Sequence, residues 1–319
     1  MKIQTILFCL IILSFGCNND DGPAISNQAE QFLNEVLDTM EAYSIHRDKI
    51  DWTEFRAKVF NSVVGAQTIQ DTYPGIKEAL ALLGDNHSRL VKPDGSVINV
   101  NTLKCDVQNI TPPLLPENIG YVKVNSYLGL SDSDEAISYA EDILNQIRNQ
   151  DNPDIIGWIV DLRSNRGGNM WPMLVGIGPI LGEGTVGYFV DLDNYDEPWN
   201  YMNGSSILDG YTLTKLSNVY ELMVPNPKVA VLLDNGVASS AEAIAISFIG
   251  RENTRSFGTS TCGLPTGIAG FPLNDNYELG LAISYMADRN KNVYKTSVNP
   301  DESVLDKDAV QKAIGWLEN

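Results

Sequence analysis

Two adjacent serines separate an apolar run from an apolar helical pattern in "VLLDNGVASSAEAIAIS", residues 231–247. Ser239 precedes Glu242 by three residues, which is the spacing of a capping box, where a hydroxyl and a carboxylate satisfy free amides at a helix start. A serine in a strand-to-helix turn is also well placed to act as a nucleophile, because the next N–H lies at the positive end of the helix and points toward a developing oxyanion. Taken alone, this stretch favours the capping role of Ser239 over the role of a nucleophile.

A pair of glycines supplies a second set of backbone donors. In "DLRSNRGGN", residues 161–169, an apolar strand ends in a turn, and Gly167 and Gly168 precede a new helical pattern. Glycine permits positive φ and leaves the backbone N–H uncovered, which suits the binding of an anion or oxyanion. A tight turn explains an isolated pair of glycines equally well. The GxGxxG motif of dinucleotide-binding folds and the GxSxG motif of α/β-hydrolases are both absent from the sequence.

A serine nucleophile needs a base, and the chain contains only two histidines. His46 lies between the first two helical patterns, where a surface or hinge position is expected. His87 lies in "GDNHS", at the junction of the helical segment and the strands that follow it. Hydrogen bonding at a helix end or between domains accounts equally well for His87, so neither histidine taken singly indicates catalysis.

Composition limits the classes of function. The 319 residues suit one large domain, or one domain with a smaller one, and the apolar content of 43% is that of a globular protein. A formal charge of −19 argues against nucleic acid and against an anionic membrane surface as partners. No CxxC spacing occurs, so the sequence predicts no cysteine metal site.

The N-terminus is typical of an export signal. One lysine precedes an apolar stretch from Ile3 to Phe15 that is too short to span a bilayer, and Gly16 stands directly before Cys17. This pattern resembles a bacterial lipoprotein signal, so we expect cleavage after residue 16, a lipid on Cys17 and a polar tether over residues 17–26. An ordinary secretory signal is the alternative.

Two cysteines, Cys105 and Cys262, remain in the expected mature chain. They could pair in an oxidising compartment, or they could be separate buried thiols that behave as small hydrophobes. With no geometric information, we expect them to be unpaired.

Helical and strand patterns divide the chain. Apolar stripes at helical spacing occupy residues 27–84 and predict a small helical domain. Strand patterns then alternate with helical ones, which indicates an α/β core. The strands are predicted at residues 119–127, 155–162 and 228–234, and helices at 134–148, after Ser239 and at 306–319.

The order of the motifs along the chain and their amino-acid sequences point to a family. "LLGDNHS", "IGYVKVNSY", "IIGWIVDLRSNRGG", "VAVLLDNGVASSAE", "RSFGTSTCG" and "VNPD" follow one another along residues 80–319. This succession resembles the tail-specific, or C-terminal processing, serine peptidases, and it is most similar to their nisin-resistance subgroup. The resemblance implies an α/β ClpP/crotonase-like core over residues 85–319, with a lid-like insertion at about 185–227.

The same resemblance implies a role for each motif. Ser239 would be the nucleophile, His87 the general base, and the N–H groups of Gly168 and Ser240 the oxyanion donors. Many relatives use a lysine base instead, but Leu264 stands at the corresponding position of "TSTCGLPTG".

Two further features of relatives have no clear counterpart in the sequence. Only about thirty residues separate Ser88 from Ile119, too few for the PDZ module that classical members carry there. A third, orienting acid is not identifiable; the candidates are Asp85, Glu242 and Asp301, and a Ser–His dyad without an acid is the alternative.

These inferences predict an exported serine peptidase that cleaves flexible peptides or protein C-terminal tails and needs no metal or organic cofactor. Its partners would be the peptide substrate and, through the lipid anchor, the membrane of a bacterial cell envelope. The aromatic stretch over residues 188–211, with Trp199 and Tyr201, is expected either to line the substrate groove or to be ordinary packed surface. A peptide-binding lipoprotein without activity and an esterase remain as alternatives.

The lipid anchor gives the first testable prediction. Mass spectrometry of the mature N-terminus should find a lipid on Cys17, and Cys17→Ala should release a detergent-extracted protein into the soluble fraction or leave it unprocessed, because stable anchoring takes two or more acyl chains. A mature chain that begins elsewhere, or an unmodified Cys17, would contradict the lipoprotein assignment.

Overall fold

The computed structural model describes residues 24–319, so the predicted signal, Cys17 and most of the tether lie outside the described residues. The chain is a mixed α/β fold, as the sequence predicts. Its helices are α1 (Asn27–Tyr43), α2 (Trp52–Asn61), α3 (Tyr73–Leu83), α4 (Asp134–Arg148), α5 (Met170–Leu181), α6 (Ser240–Phe248) and α7 (Asp306–Leu317).

The strands form two sheets. The first is parallel, in the order β14-β10-β9-β4-β3, and consists of β3 (Ile119–Lys123), β4 (Gly157–Asp161), β9 (Lys228–Leu233), β10 (Thr254–Gly258) and β14 (Glu302–Ser303). The second is antiparallel and consists of β1 (Arg89–Val91), β2 (Val97–Asn99), β5 (Gly184–Val190), β6 (Asp196–Met202), β7 (Ser205–Leu208), β8 (Tyr211–Lys215), β11 (Thr266–Pro272), β12 (Glu278–Ala287) and β13 (Val293–Tyr294).

The parallel sheet is the centre of the core because helices cover both of its faces. All five residues of β4 are buried, which is the pattern of a strand covered on both sides. Helix α7 packs on one face, and α4, α5 and α6 pack on the other around the fully buried Trp158. Every residue of α6 is buried, so its apolar sequence on all sides is explained by its central position.

The N-terminal helices pack against the antiparallel sheet. The apolar faces of α1, α2 and α3 share one hydrophobic cluster with Leu279 and Leu281 of β12. Gly84, with φ of 67°, ends α3 in the left-handed conformation that glycine adopts at helix C-termini. The chain then turns directly into the segment that carries His87.

The aromatic stretch forms a twisted antiparallel ribbon of β5, β6, β7 and β8. Trp199 is fully buried beside Phe189, with ring centroids 4.7 Å apart, and Tyr201 is 4% exposed. The expectation that Trp199 and Tyr201 line a groove is therefore wrong. Alternation along β6 turns both rings toward the core, against α5.

The two cysteines of the core form a disulfide, so the expectation that they are unpaired is wrong. The Cα atoms of Cys105 and Cys262 lie 5.2 Å apart across 157 residues of sequence. Hydrogen bonds hold the segment after Cys105 against the loops that follow β9 and β4: the Asp106 N–H donates to Asn235 Oδ1 at 3.0 Å, and the Gln108 N–H to Ser164 Oγ at 2.8 Å. The Cys262 N–H donates to the Val237 carbonyl in the same β9 loop at 2.8 Å. This irregular segment is thereby fixed beside the loop that contains Cys262.

Within residues 24–319, no helix combines the length and the apolarity that crossing a membrane requires.

Candidate active site

Ser239 occupies a sharp turn between β9 and α6. Its backbone has φ of 56° and ψ of −122°, a conformation that costs a non-glycine residue about 1–3 kcal/mol. The carboxylate of Glu242 stabilises the turn, because Oε2 accepts a hydrogen bond from the Ser239 N–H at 2.7 Å. The capping-box carboxylate expected from the sequence is thus present, and the Ser239 hydroxyl is free to bond elsewhere.

His87 lies in a turn between α3 and β1, and its imidazole reaches the serine. The distance from His87 Nε2 to Ser239 Oγ is 2.9 Å. Asp85 Oδ1 shapes this turn by accepting from the N–H groups of His87 and Ser88, at 2.8 and 2.7 Å. Ser88 Oγ donates to Asp85 Oδ2 and accepts from the Ala282 N–H, which attaches the turn to β12. The two sequence-predicted residues therefore meet from different sheets.

The second histidine is remote from this pair. Nδ1 of His46 lies 2.8 Å from the Leu83 carbonyl oxygen at the end of α3. That contact attaches His46 to the C-terminal end of α3 and leaves His87 as the histidine of the site.

Thr266, the first residue of β11, orients the imidazole from the other side. Its Oγ1 lies 2.7 Å from His87 Nδ1. If Nε2 accepts the serine proton, Nδ1 carries the ring proton and donates it to Thr266 Oγ1. Sequence analysis missed this residue, because a single threonine in a turn-rich segment carries no signal that separates it from other hydroxyls.

The environment of His87 keeps its imidazole neutral. Burial, together with the nearby Arg89 cation, lowers the pKa of His87 to about 4, although Asp85 acts in the opposite direction. A neutral ring can accept a proton, so His87 is in the form required of a base down to mildly acidic pH.

None of the three candidate acids contacts the imidazole. Both oxygens of Asp85 are engaged in the turn before β1. Asp301 Oδ2 accepts from the N–H and hydroxyl of Ser256, at 2.8 and 2.7 Å, beside β10. Glu242 faces the backbone beneath the serine. Ser239 and His87 therefore form a dyad, and the side chain that contacts Nδ1 of the imidazole is Thr266 instead of an acid.

Glu242 is fully buried and accepts four hydrogen bonds. In addition to the Ser239 N–H, its donors are the Thr261 hydroxyl at 2.5 Å, the Gly263 N–H at 3.0 Å and the Leu264 N–H at 2.8 Å. Burial raises the pKa of Glu242 to about 7, while the four hydrogen bonds act in the opposite direction. Four donors and no acceptor match an ionised carboxylate.

The paired glycines lie against the serine turn. A Cβ on Gly167 would lie 2.8 Å from Ser240 N, and one on Gly168 would lie 1.9 Å from the Tyr127 carbonyl oxygen, so neither position tolerates a side chain. Gly168 is exposed, and its φ is 116°. Ser240 Oγ donates to the Gly168 carbonyl at 2.6 Å, which joins the two turns.

The N–H groups of Gly168 and Ser240 are free to bind an oxyanion. Neither donates a hydrogen bond to any other group in the part of the chain that the structure describes. Both belong to loops that follow the carboxyl ends of β4 and β9, which are adjacent parallel strands and therefore open at the same edge of the sheet. This edge is where ligands bind in open α/β sheets.

A groove of about 680 Å³ runs past the dyad. Its wall carries apolar side chains, among them Leu128, Trp171, Phe189, Leu208 and Met286. The charged residues that line it are Arg89, Arg166 and Glu278.

No lysine lines the groove within residues 24–319. Leu264, in the lysine position of many relatives, is 7% exposed and packs with Ala238 and Cys262. Lys228 stacks over Trp316 and Lys291 bonds Asp196, while Lys295 stacks over Tyr285. The described residues also contain no group of three or more histidine, cysteine or acidic side chains arranged to hold a metal ion.

Comparison with known proteins identifies the family of this chain. The model of peptidase family S41 matches residues 118–304. The chain is 27% identical over 296 residues to the nisin-resistance protein of Lactococcus lactis subsp. lactis, an alignment that covers 91% of this chain and 87% of that protein.

Solved structures show the same fold. A lipoprotein from Streptococcus agalactiae superposes with a TM-score of 0.71 at 22% identity, covering 92% of this chain and 97% of that one. The photosystem II D1 C-terminal processing protease superposes with a TM-score of 0.58 at 13% identity, covering 91% of this chain and 97% of that one. The family match spans more than half of the sequence, and the chain therefore belongs to peptidase family S41.

Proposed function

We propose that this chain is an exported serine peptidase that cleaves flexible peptides or protein C-terminal tails through an acyl-enzyme on Ser239. The observation that carries the proposal is the 2.9 Å contact between Ser239 Oγ and the neutral His87 Nε2, next to two free N–H groups. Membership of a peptidase family supports the same reaction class.

The first half of the reaction forms the acyl-enzyme. Ser239 Oγ attacks the scissile carbonyl carbon as His87 Nε2 takes the hydroxyl proton, and the Gly168 and Ser240 N–H groups stabilise the oxyanion. The tetrahedral intermediate collapses, the C–N bond breaks, and the imidazolium gives its proton to the leaving amine.

The second half regenerates the serine. A water molecule attacks the acyl carbon while His87 takes its proton, and collapse of this intermediate releases the new carboxyl group and returns the proton to Ser239 Oγ. Thr266 acts as a positioning residue throughout, because its hydroxyl accepts from Nδ1–H and holds the ring toward the serine.

The proposed location is a bacterial cell envelope. The relatives that the chain resembles include a nisin-resistance protein and a lipoprotein, which suggests an exported or envelope protein. The disulfide between Cys105 and Cys262 supports an oxidising compartment. We propose that Cys17 carries the lipid that attaches the enzyme to its membrane.

Variants of the dyad test the mechanism. Ser239→Ala and His87→Ala should each lower kcat by roughly 10³-fold or more, and the double variant should lose little further, because the two residues act as a unit. The measurement is kcat for a peptide that the wild type cleaves, with thermal melts to verify folding.

Ser240→Ala is the matched control for the nucleophile. It keeps the backbone N–H and removes only the hydrogen bond to the Gly168 carbonyl, so its loss should be about tenfold or less. Equal losses at Ser239 and Ser240, or full activity in folded His87→Ala protein, would overturn the mechanism.

A folded wild-type protein without peptide hydrolysis would favour a binding module, and hydrolysis of simple esters alone would favour an esterase.

The orienting role of Thr266 is tested by a pair of variants of similar size. Thr266→Val keeps the shape but removes the hydroxyl that accepts from Nδ1, so kcat should fall roughly tenfold, while Thr266→Ser retains the hydroxyl and should restore most of the activity. Equal activity in Thr266→Val and wild type would contradict the role, and an equal loss in both variants would indicate a packing effect instead.

A further inference from the structure

The groove contains two arginines that lack a carboxylate partner. Among residues 24–319, neither Arg89 nor Arg166 forms an ion pair, although the sequence has 41 acidic residues against 22 basic ones. Both line the groove beside the dyad. In a chain of net charge −19, unpaired cations at this place point to an anionic group on the substrate.

The Arg89 side chain lines the groove and packs over the backbone of Gly280. Arg89 in β1 is paired with Gly280 in β12, and a Cβ on Gly280 would lie 3.3 to 3.5 Å from Arg89 Cγ, Cζ and Nε. The missing side chain at Gly280 thus leaves the space in which the arginine lies.

Glu278, the acidic residue of the groove, also packs over a glycine. In the neighbouring strand pair, Glu278 lies over Gly270, 3.0 Å from a Cβ built there. Glu278 and Arg89 form no ion pair within 4.0 Å in the described part of the chain, so the Arg89 guanidinium remains available to a ligand.

The direction of the substrate distinguishes the two arginines. His87 must protonate the leaving amine, so the peptide that follows the scissile bond passes the imidazole. Arg89 is two residues beyond His87, on the strand that begins there. Arg166 instead precedes the oxyanion glycines and is exposed. Arg89 is therefore the cation on the leaving-group side.

We propose that Arg89 binds the free C-terminal carboxylate of the substrate and so selects cleavage close to the end of a chain. This inference rests on the proposed peptidase function and specifies its substrate. A guanidinium can donate two parallel hydrogen bonds to a carboxylate, a geometry that a lysine does not reproduce. Because Arg89 is only two residues from His87, their Cα atoms are at most about 7 Å apart, and the leaving fragment is about one to three residues long.

Matched peptides provide the test. Fluorogenic peptides are synthesised in pairs that differ only in a C-terminal carboxylate or carboxamide, with one, two, three or six residues after the scissile bond. For the wild type, kcat/KM should favour the carboxylate about tenfold in the short peptides, the size expected of one charge-assisted contact, and the preference should vanish at six residues.

Variants then assign the preference to one side chain. Arg89→Gln should reduce the carboxylate-over-carboxamide ratio to about one, and Arg89→Lys should recover only part of it. Arg166→Gln removes the same charge from the other side of the dyad and should keep the ratio of the wild type. Since each ratio compares two substrates on one protein, a general loss of active enzyme does not alter it.

Three results would overturn the inference. They are equal rates for acid and amide in the wild type, a preference that survives Arg89→Gln, and a preference that disappears in Arg166→Gln. If Ser239-dependent hydrolysis is observed alongside any of these, the proposed function stands and only the role of Arg89 fails. If no peptide is cleaved, the proposed function itself fails.

Discussion

The buried carboxylate of Glu242 joins the two sheets of this molecule at the place where Ser239 and His87 meet. One oxygen holds the Ser239 turn at the end of the parallel sheet, and both hold the loop that leads into β11 of the antiparallel sheet. That strand begins with Thr266, which positions the imidazole. Burying a carboxylate is costly, and its four hydrogen bonds offset that cost only while every donor is in place.

A buried ion pair stabilises the loop that ends in the paired glycines. Asp161, at the end of β4, is completely buried and accepts from the Arg163 side chain at 2.9 and 2.6 Å. Burial alone would raise the pKa of Asp161, but the bonds to Arg163 and the nearby Lys123 cation outweigh it and lower the pKa. The loop that ends in Gly167 and Gly168 starts from this fixed point. Loss of Asp161 would leave the Arg163 guanidinium buried without its carboxylate, whereas loss of Arg163 would leave Asp161 with Lys123 as its remaining cation.

The disulfide cross-links the same loop that donates hydrogen bonds to Glu242. Cys262 lies between Thr261 and Gly263, both of which donate to that carboxylate. The cross-link to Cys105 thus limits movement of the segment between Ser239 and Thr266.

The sequence was sufficient for the parts of the site that follow local rules. The order of strands and helices and the buried parallel strands followed from hydrophobic patterns, and the spacing of Ser239 to Glu242 located the turn. His87 could be singled out because the chain offers only two histidines. Contacts between segments that are distant in the sequence could not be predicted from these local patterns. The disulfide between cysteines 157 positions apart, the contact of Thr266 with the imidazole and the inward orientation of Trp199 all depend on how the two sheets pack.

The central claim is that a neutral, buried histidine activates Ser239, and the most direct measurement is the rate at which a fluorophosphonate labels that serine as pH is varied. Protonation of His87 removes the base, so the rate should be constant from about pH 8 to pH 6, fall on acidification with a midpoint near the His87 pKa of about 4, and map by mass spectrometry to Ser239. A midpoint near the ordinary lysine pKa of about 10, or a label on Ser240, would contradict the account.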